Sequence, residues 1–234
     1  MSSFSSVLEA AFSLIATSDA DLVEIVGLSL RVSLSAVALA CLIGMPLGAL
    51  VGSLRFTGRG VITLLLNALM GLPPVTVGLL VYLMISTSGP LGVLQLLYTP
   101  AAMIIAQTVL VTPIVAALSR DVIAALHEEY REEFDSLGLS AGHRILALLR
   151  DARYRLVTVA LAGFGRAIAE VGAVIIVGGN INHVTRVMTT TIALETSRGN
   201  LELALALGLV LLTLALLVNA SLMGLARIGA RNGG

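Results

Sequence analysis

The residues that could do chemistry in this chain are few, and most of them are acids and arginines. Between Asp121 and Asp135 stand Asp121, Glu128, Glu129, Glu132, Glu133 and Asp135, then Ser136-Leu137-Gly138, then a basic amphipathic stretch through Arg155. Such a block is either a solvated loop or a compact helix–turn–helix, with Gly138 turning the chain, that a soluble motor could grip. Within apolar sequence only Arg166 and Glu170 bring opposite charges together. Their spacing of four lets two side chains on one helix face neutralise each other, so an intramembrane ion pair is expected. Catalytic sets are missing. There is no P-loop, HExxH or nucleophile elbow. His127, His143 and His183 stand far apart and Cys41 lies in an apolar run, so no metal-ligand spacing exists. The chain therefore offers no site for a cofactor or metal and no covalent nucleophile.

These residues must be positioned by a chain that is mostly apolar. Of 234 residues, 57% are hydrophobic and 12% charged, about half the charge of an ordinary soluble domain, and mean hydropathy is +1.01. A soluble fold of this size could not hide that surface. The formal net charge of zero points to no nucleic acid. The lone Cys41 excludes a disulfide framework within the chain. A membrane protein remains. A crossing helix needs about 20 apolar residues, and five stretches supply them, near Leu28–Leu54, Val61–Ile85, Pro100–Leu118, Leu156–Gly178 and Leu203–Leu225. The expected fold is all-α and integral to the membrane, with five spans.

Before the first span, Phe4, Val7, Leu8, Ala11, Phe12 and Ile15 form one apolar stripe, the pattern of a helix lying in the interface plane. The expected division is an interfacial helix over residues 1–20, a transmembrane body over 21–226 with a cytoplasmic segment near 119–155, and a tail over 227–234. Five spans put the termini on opposite sides. Arg55, Arg59, Arg120, Arg131, Arg144, Arg150, Arg153, Arg155, Arg227 and Arg231 fall on one side, against Arg186 and Arg198 on the other. By the positive-inside rule the C-terminus is cytoplasmic and the N-terminus outside. Gly44, Gly48 and Gly52 make a small-residue row that lets two helices approach closely. Pro73-Pro74 should break the second span, as a packing kink or as the wall of a cavity.

The stretch EEFDSLGLSAGHRILALLRDARY resembles the cytoplasmic coupling signature of ABC importer permeases, with Glu132, Glu133 and Phe134 at the EAA places and Gly138 at the glycine. MGLPPVTVGLLVYLMIS, GFGRAIAEVGAVIIVGGNI and TRVMTTTIALETSRGN resemble the second span, fourth span and last external loop of molybdate and tungstate permeases, and the whole is most similar to the tungstate type. The resemblance implies the transmembrane domain of a type I ABC importer. It implies a homodimer in the membrane lipid, two ABC ATPase subunits that bind ATP and Mg and dock on the coupling residues, and an external oxyanion-binding protein. Molybdate or sulfate is the alternative cargo. An intramembrane enzyme built on Arg166 and Glu170, or a structural anchor, would be readings of another class.

A dianionic cargo would be repelled by a carboxylate at low dielectric, so Glu170 is a structural or gating residue on this reading. Hydroxyls, amides and helix N-termini suit a transient anion site. Asn180, Asn182, Thr185, Thr189, Thr190 and Thr191 gather at the outer end of the fourth span. They form either a polar external loop or an outer gate, with Pro73 and Pro74 shaping the neighbouring wall.

Overall fold

The computed structural model describes residues 4–17, 19–54 and 56–232. Among them the regular elements are helices: α1 (Phe4–Ala16), α2 (Ala20–Ser53), α3 (Arg59–Met70), α4 (Pro74–Ile85), α5 (Pro100–Glu129), α6 (Arg131–Ser136), α7 (Ala141–Asp151), α8 (Arg153–Ile168), α9 (Gly172–Gly178), α10 (Met188–Arg198) and α11 (Leu201–Asn232). Arg55 lies outside the described residues, as do the side chains of Phe4, Arg227 and Arg231, and Gly233-Gly234 of the expected tail.

Helices α2, α5 and α11 are long and apolar enough to cross a membrane, and the interrupted pairs α3–α4 and α8–α9 bring the number to as many as five. The first interruption falls where the prolines require it. Pro73 is extended with φ −65° and Pro74 opens α4, where a missing backbone N–H removes nothing. The second, at Ala169–Val171, splits a span that the sequence presents as continuous. Its residues are apolar apart from Glu170, so hydropathy gives no warning.

Three boundaries differ from expectation. Helix α5 continues to Glu129, so Asp121, Glu128 and Glu129 ride on the end of a spanning helix and are not in a loop. The stretch read as a last external loop contains α10, whose Met188, Thr189, Thr190 and Thr191 are buried. Helix α11 runs on to Asn232, through most of the expected tail. Helix α1 forms as its stripe requires, but Val7 and Ala11 are buried against protein while Phe12 is exposed.

The chain divides into two compact units. The first takes residues 1–35, 73–107 and 167–218. In it α4 packs on α9, burying Val77, Val81 and Ile85 from one and Ala173, Val174 and Val177 from the other. The second takes residues 36–72, 108–166 and 219–234. There the small-residue row of α2 lies against α5. A Cβ placed on Gly48 would stand 2.5 Å from the Ala116 carbonyl oxygen and 2.7 Å from Ser119 Cβ, so only glycine permits this approach. A cluster of Ala49, Ile123, Leu126, Phe134, Leu148, Ala152 and Leu156 fills the core beside it. Large apolar side chains such as Leu42 (72% exposed), Leu64 (68%) and Leu216 (61%) face outward, as a lipid solvent requires.

Candidate functional site: a docking hairpin and a braced helix break

In the second unit, α5 ends at Glu129 and the chain folds into a hairpin of α6 and α7. Leu139 N–H donates to the Phe134 carbonyl. Gly138 turns the chain at φ +60°, a left-handed conformation that L side chains enter at a cost of about 1–2 kcal/mol. The acidic stretch is thus a helix–turn–helix and not a solvated connector. Glu132 and Glu133 are exposed on α6, with Leu137 70% exposed at the turn and Leu146 66% exposed on α7. Phe134, expected to take part in coupling, is buried instead. Its ring lies 5.9 Å from that of Tyr130 and 6.4 Å from that of His127, within the apolar cluster. It anchors the hairpin from beneath and presents nothing outward.

The residue that pins the turn is Arg144, which the motif does not name. Its Nε donates to the Leu139 carbonyl at 2.8 Å, one terminal nitrogen to Asp135 at 2.8 Å and the other to the Phe134 carbonyl at 3.2 Å. One side chain therefore satisfies two main-chain acceptors of the turn and an acid of α6. Tyr130 closes the base by donating its hydroxyl to Asp151 at 3.2 Å, and that carboxylate raises the phenol's pKa above its usual range. Beneath the hairpin is a cavity of about 400 Å³ whose walls include Ser53, His127, Arg131, Asp135 and Arg144. The signal for Arg144 was in the sequence, as an arginine soon after a glycine turn, but its partners are set by how the turn closes.

In the first unit the interruption between α8 and α9 exposes main-chain polar groups that lipid cannot satisfy. Side chains take their place. Gln107 Nε2 donates to the Ala167 carbonyl at 3.0 Å and Thr189 Oγ1 to the Glu170 carbonyl at 2.8 Å. Glu170 Oε1 accepts from Ala173 N–H at 3.1 Å, capping α9. Arg166 stands in the last turn of α8, whereas Glu170 lies beyond the helix end.

Of the hydroxyls and amides expected at the end of the fourth span, Asn180, Thr185, Thr190 and Thr191 make short hydrogen bonds around one another's segments, and Asn182 does not join them. Thr185 donates to the Gly178 carbonyl at 2.5 Å and accepts from Ile181 N–H at 2.9 Å. Thr190 Oγ1 lies 2.9 Å from Asn180 Oδ1, and Asn180 Nδ2 donates to the Thr190 carbonyl at 3.3 Å. Thr191 donates to the Val187 carbonyl at 2.7 Å. Thr185, Thr190 and Thr191 are buried and Asn182 is exposed. The hydroxyl protons of Thr185, Thr189 and Thr191 are thus engaged with main-chain carbonyls, and the Asn180–Thr190 pair ties the segment after α9 to α10. Farther along, His183 Nδ1 lies 2.8 Å from Glu24 Oε2. Glu24 raises the imidazole pKa above the ordinary 6.5, and Asp21 adds to the effect while Arg186 opposes it.

The interrupted spans, the hairpin and the braced break describe a transport subunit of the membrane, and comparison with known proteins agrees. Residues 44–231 match the family of binding-protein-dependent transport system inner membrane components. The chain belongs to that family. It is 44% identical over 204 residues to a protein of Haloferax volcanii described as a probable anion ABC transporter permease, covering 85% of this chain and 88% of that one. It is 41% identical over 216 residues to the tungstate uptake system permease protein TupB of Peptoclostridium acidaminophilum, covering 92% and 95%. The TupB protein of Campylobacter jejuni is 38% identical over 165 residues, covering 70% and 69%.

Proposed function

We propose that this chain is the membrane subunit of an ATP-driven importer that passes tungstate into the cytoplasm. The observation that carries the reading is 41% identity to a tungstate uptake permease over nearly the full length of both chains, joined to a hairpin with exposed acids and leucines. Two copies of the chain work with two ABC ATPase subunits, which bind ATP and Mg, and with an external protein that captures the oxyanion. A closed two-fold pair gives each hairpin an equivalent motor. Glu132, Glu133 and the leucines beside Gly138 form the contact with the ATPase, and Phe134 and Arg144 hold that surface in shape. The C-terminus faces the cytoplasm and the N-terminus the outside, on the arginine distribution.

The permease offers the anion a weak path, since conduction requires release as well as entry. Asn180, Thr185, Thr189 and Thr190 fix the outer segment of that path, and Pro73 and Pro74 set the start of α4 beside it. Arg166 and Glu170 lie at the interrupted span and serve structure or coupling, not anion binding. The test is uptake by the chain reconstituted with its ATPase and binding protein, with tungstate, molybdate and sulfate in competition. ATP-dependent tungstate uptake that excess sulfate leaves intact supports the reading. Uptake of sulfate or molybdate in preference moves the cargo to the alternative, and no ATP-dependent uptake refutes it.

A further inference from the structure

Inside the first unit, beneath the braced break, lies a cavity of about 10 Å³ lined by Ser29, Val32, Ser33, Gln107, Ile168, Glu170, Val187 and Thr189. That is close to the smallest space that holds one water molecule. Gln107 is 4% exposed, and its Oε1 is buried without a donor. Exchanging the two ends of the amide does not help, because it would turn Oε1 toward the Ala167 carbonyl that Nε2 now serves.

Three of the other polar lining groups, Ser29, Thr189 and Glu170, share one property. Ser29 gives its hydroxyl proton to the Ile25 carbonyl at 2.7 Å and accepts from Met188 N–H at 2.8 Å. Thr189 gives its proton to the Glu170 carbonyl, and a carboxylate offers acceptors. These three groups offer lone pairs, and the Ser33 hydroxyl brings the one lining hydroxyl proton that no described hydrogen bond engages. An occupant must donate, must be small, and must not be an anion.

We infer that this cavity is a binding site for a single water molecule, which donates to Gln107 Oε1 and is held against Ser33, and that it is closed to oxyanions. The water completes the brace: Gln107 holds the Ala167 carbonyl at the end of α8, and the water satisfies the other end of the same amide. A buried acceptor left without a donor loses its hydration with nothing in return, which is the drive to fill the site. The anion's route then runs elsewhere, whichever oxyanion is carried.

The experiment is X-ray footprinting of the full chain in lipid nanodiscs, in which radicals born from bound water oxidise adjacent side chains, combined with a density map that resolves ordered water. Val32 and Ile168 should be oxidised although they are buried, Val174, which lies outside the cavity lining, should not be, and a density peak should lie within hydrogen-bond distance of Gln107 Oε1. Labelling at Val32 and Ile168 should be lost in Gln107→Met. Ser33→Ala leaves the bond from Gln107 to Ala167 in place and should reduce the labelling, which keeps the test decisive if Gln107→Met does not fold. Labelling no greater than at Val174, an empty cavity in the map, molybdate or tungstate density in it, or occupancy that appears only with added sodium would each overturn the inference.

Discussion

Replacing Arg144 by Lys tests whether the hairpin is held by geometry or merely by charge. Lysine keeps the positive charge and can still reach Asp135, but its single ammonium cannot reproduce a guanidinium that serves three acceptors. The Arg144 side chain is 23% exposed and that of Asp135 59%, so the ion pair that survives is worth about 1 kcal/mol or less. What is lost is donation to the carbonyls of Leu139 and Phe134. At about 1–1.5 kcal/mol each, the ordered turn is weakened by about 2–3 kcal/mol. That corresponds to about a 30- to 160-fold rise in the open population. Hydrogen exchange of the amides around residues 134–144, measured on the full chain in lipid, reads this directly. Protection should fall by that factor in Arg144→Lys, while α2 and the first half of α5 exchange as before. Unchanged protection would mean that the apolar cluster under Phe134 holds the hairpin alone and that Arg144 is incidental.

Other expectations follow from the same geometry. Gly48→Ala places a methyl group against main-chain atoms of α5 and should lower stability in detergent by about 1–3 kcal/mol; Gly208→Ala, with open space around it, should be neutral or raise stability by up to about 1 kcal/mol, and equal melting of the two variants would contradict the packing described. Gly138→Leu places its Cβ in open space but must adopt φ +60°; it should insert in the membrane with its spans intact and bind the ATPase more weakly in a pull-down. The His183–Glu24 contact should make the loop around His183 sensitive to pH: because Glu24 raises the imidazole pKa, the contact's contribution is complete below the unfolded value near 6.5 and is lost as pH rises through the folded value. Exchange protection near residue 183 should therefore be greater at acid than at alkaline pH, and His183→Gln should remove that difference.

Much of this was legible in the sequence because lipid is an unforgiving solvent. Five apolar stretches and prolines at 73 and 74 each follow from a local rule, and the structure has three long apolar helices and two bent helix pairs in those places, with α4 beginning at Pro74. Gly138 was readable for the same reason, since a glycine between two amphipathic patterns has few uses other than a turn. The interruption at Ala169–Val171 was not, because an apolar residue looks alike in a helix and in a break that buried partners satisfy. Those partners, Gln107 and Thr189, stand about 60 and 20 residues away in the chain, so no window of sequence contains the brace. The setting of Phe134 was hidden in the same way: the motif marks its position, but only the closing of α6 and α7 on α5 decided that its ring turns inward and that Arg144 supplies the pin. Composition and periodicity fixed which segments enter the membrane, since each residue's transfer energy acts on its own; the tertiary structure decided which polar groups satisfy one another, because a hydrogen bond depends on two residues arriving at one place.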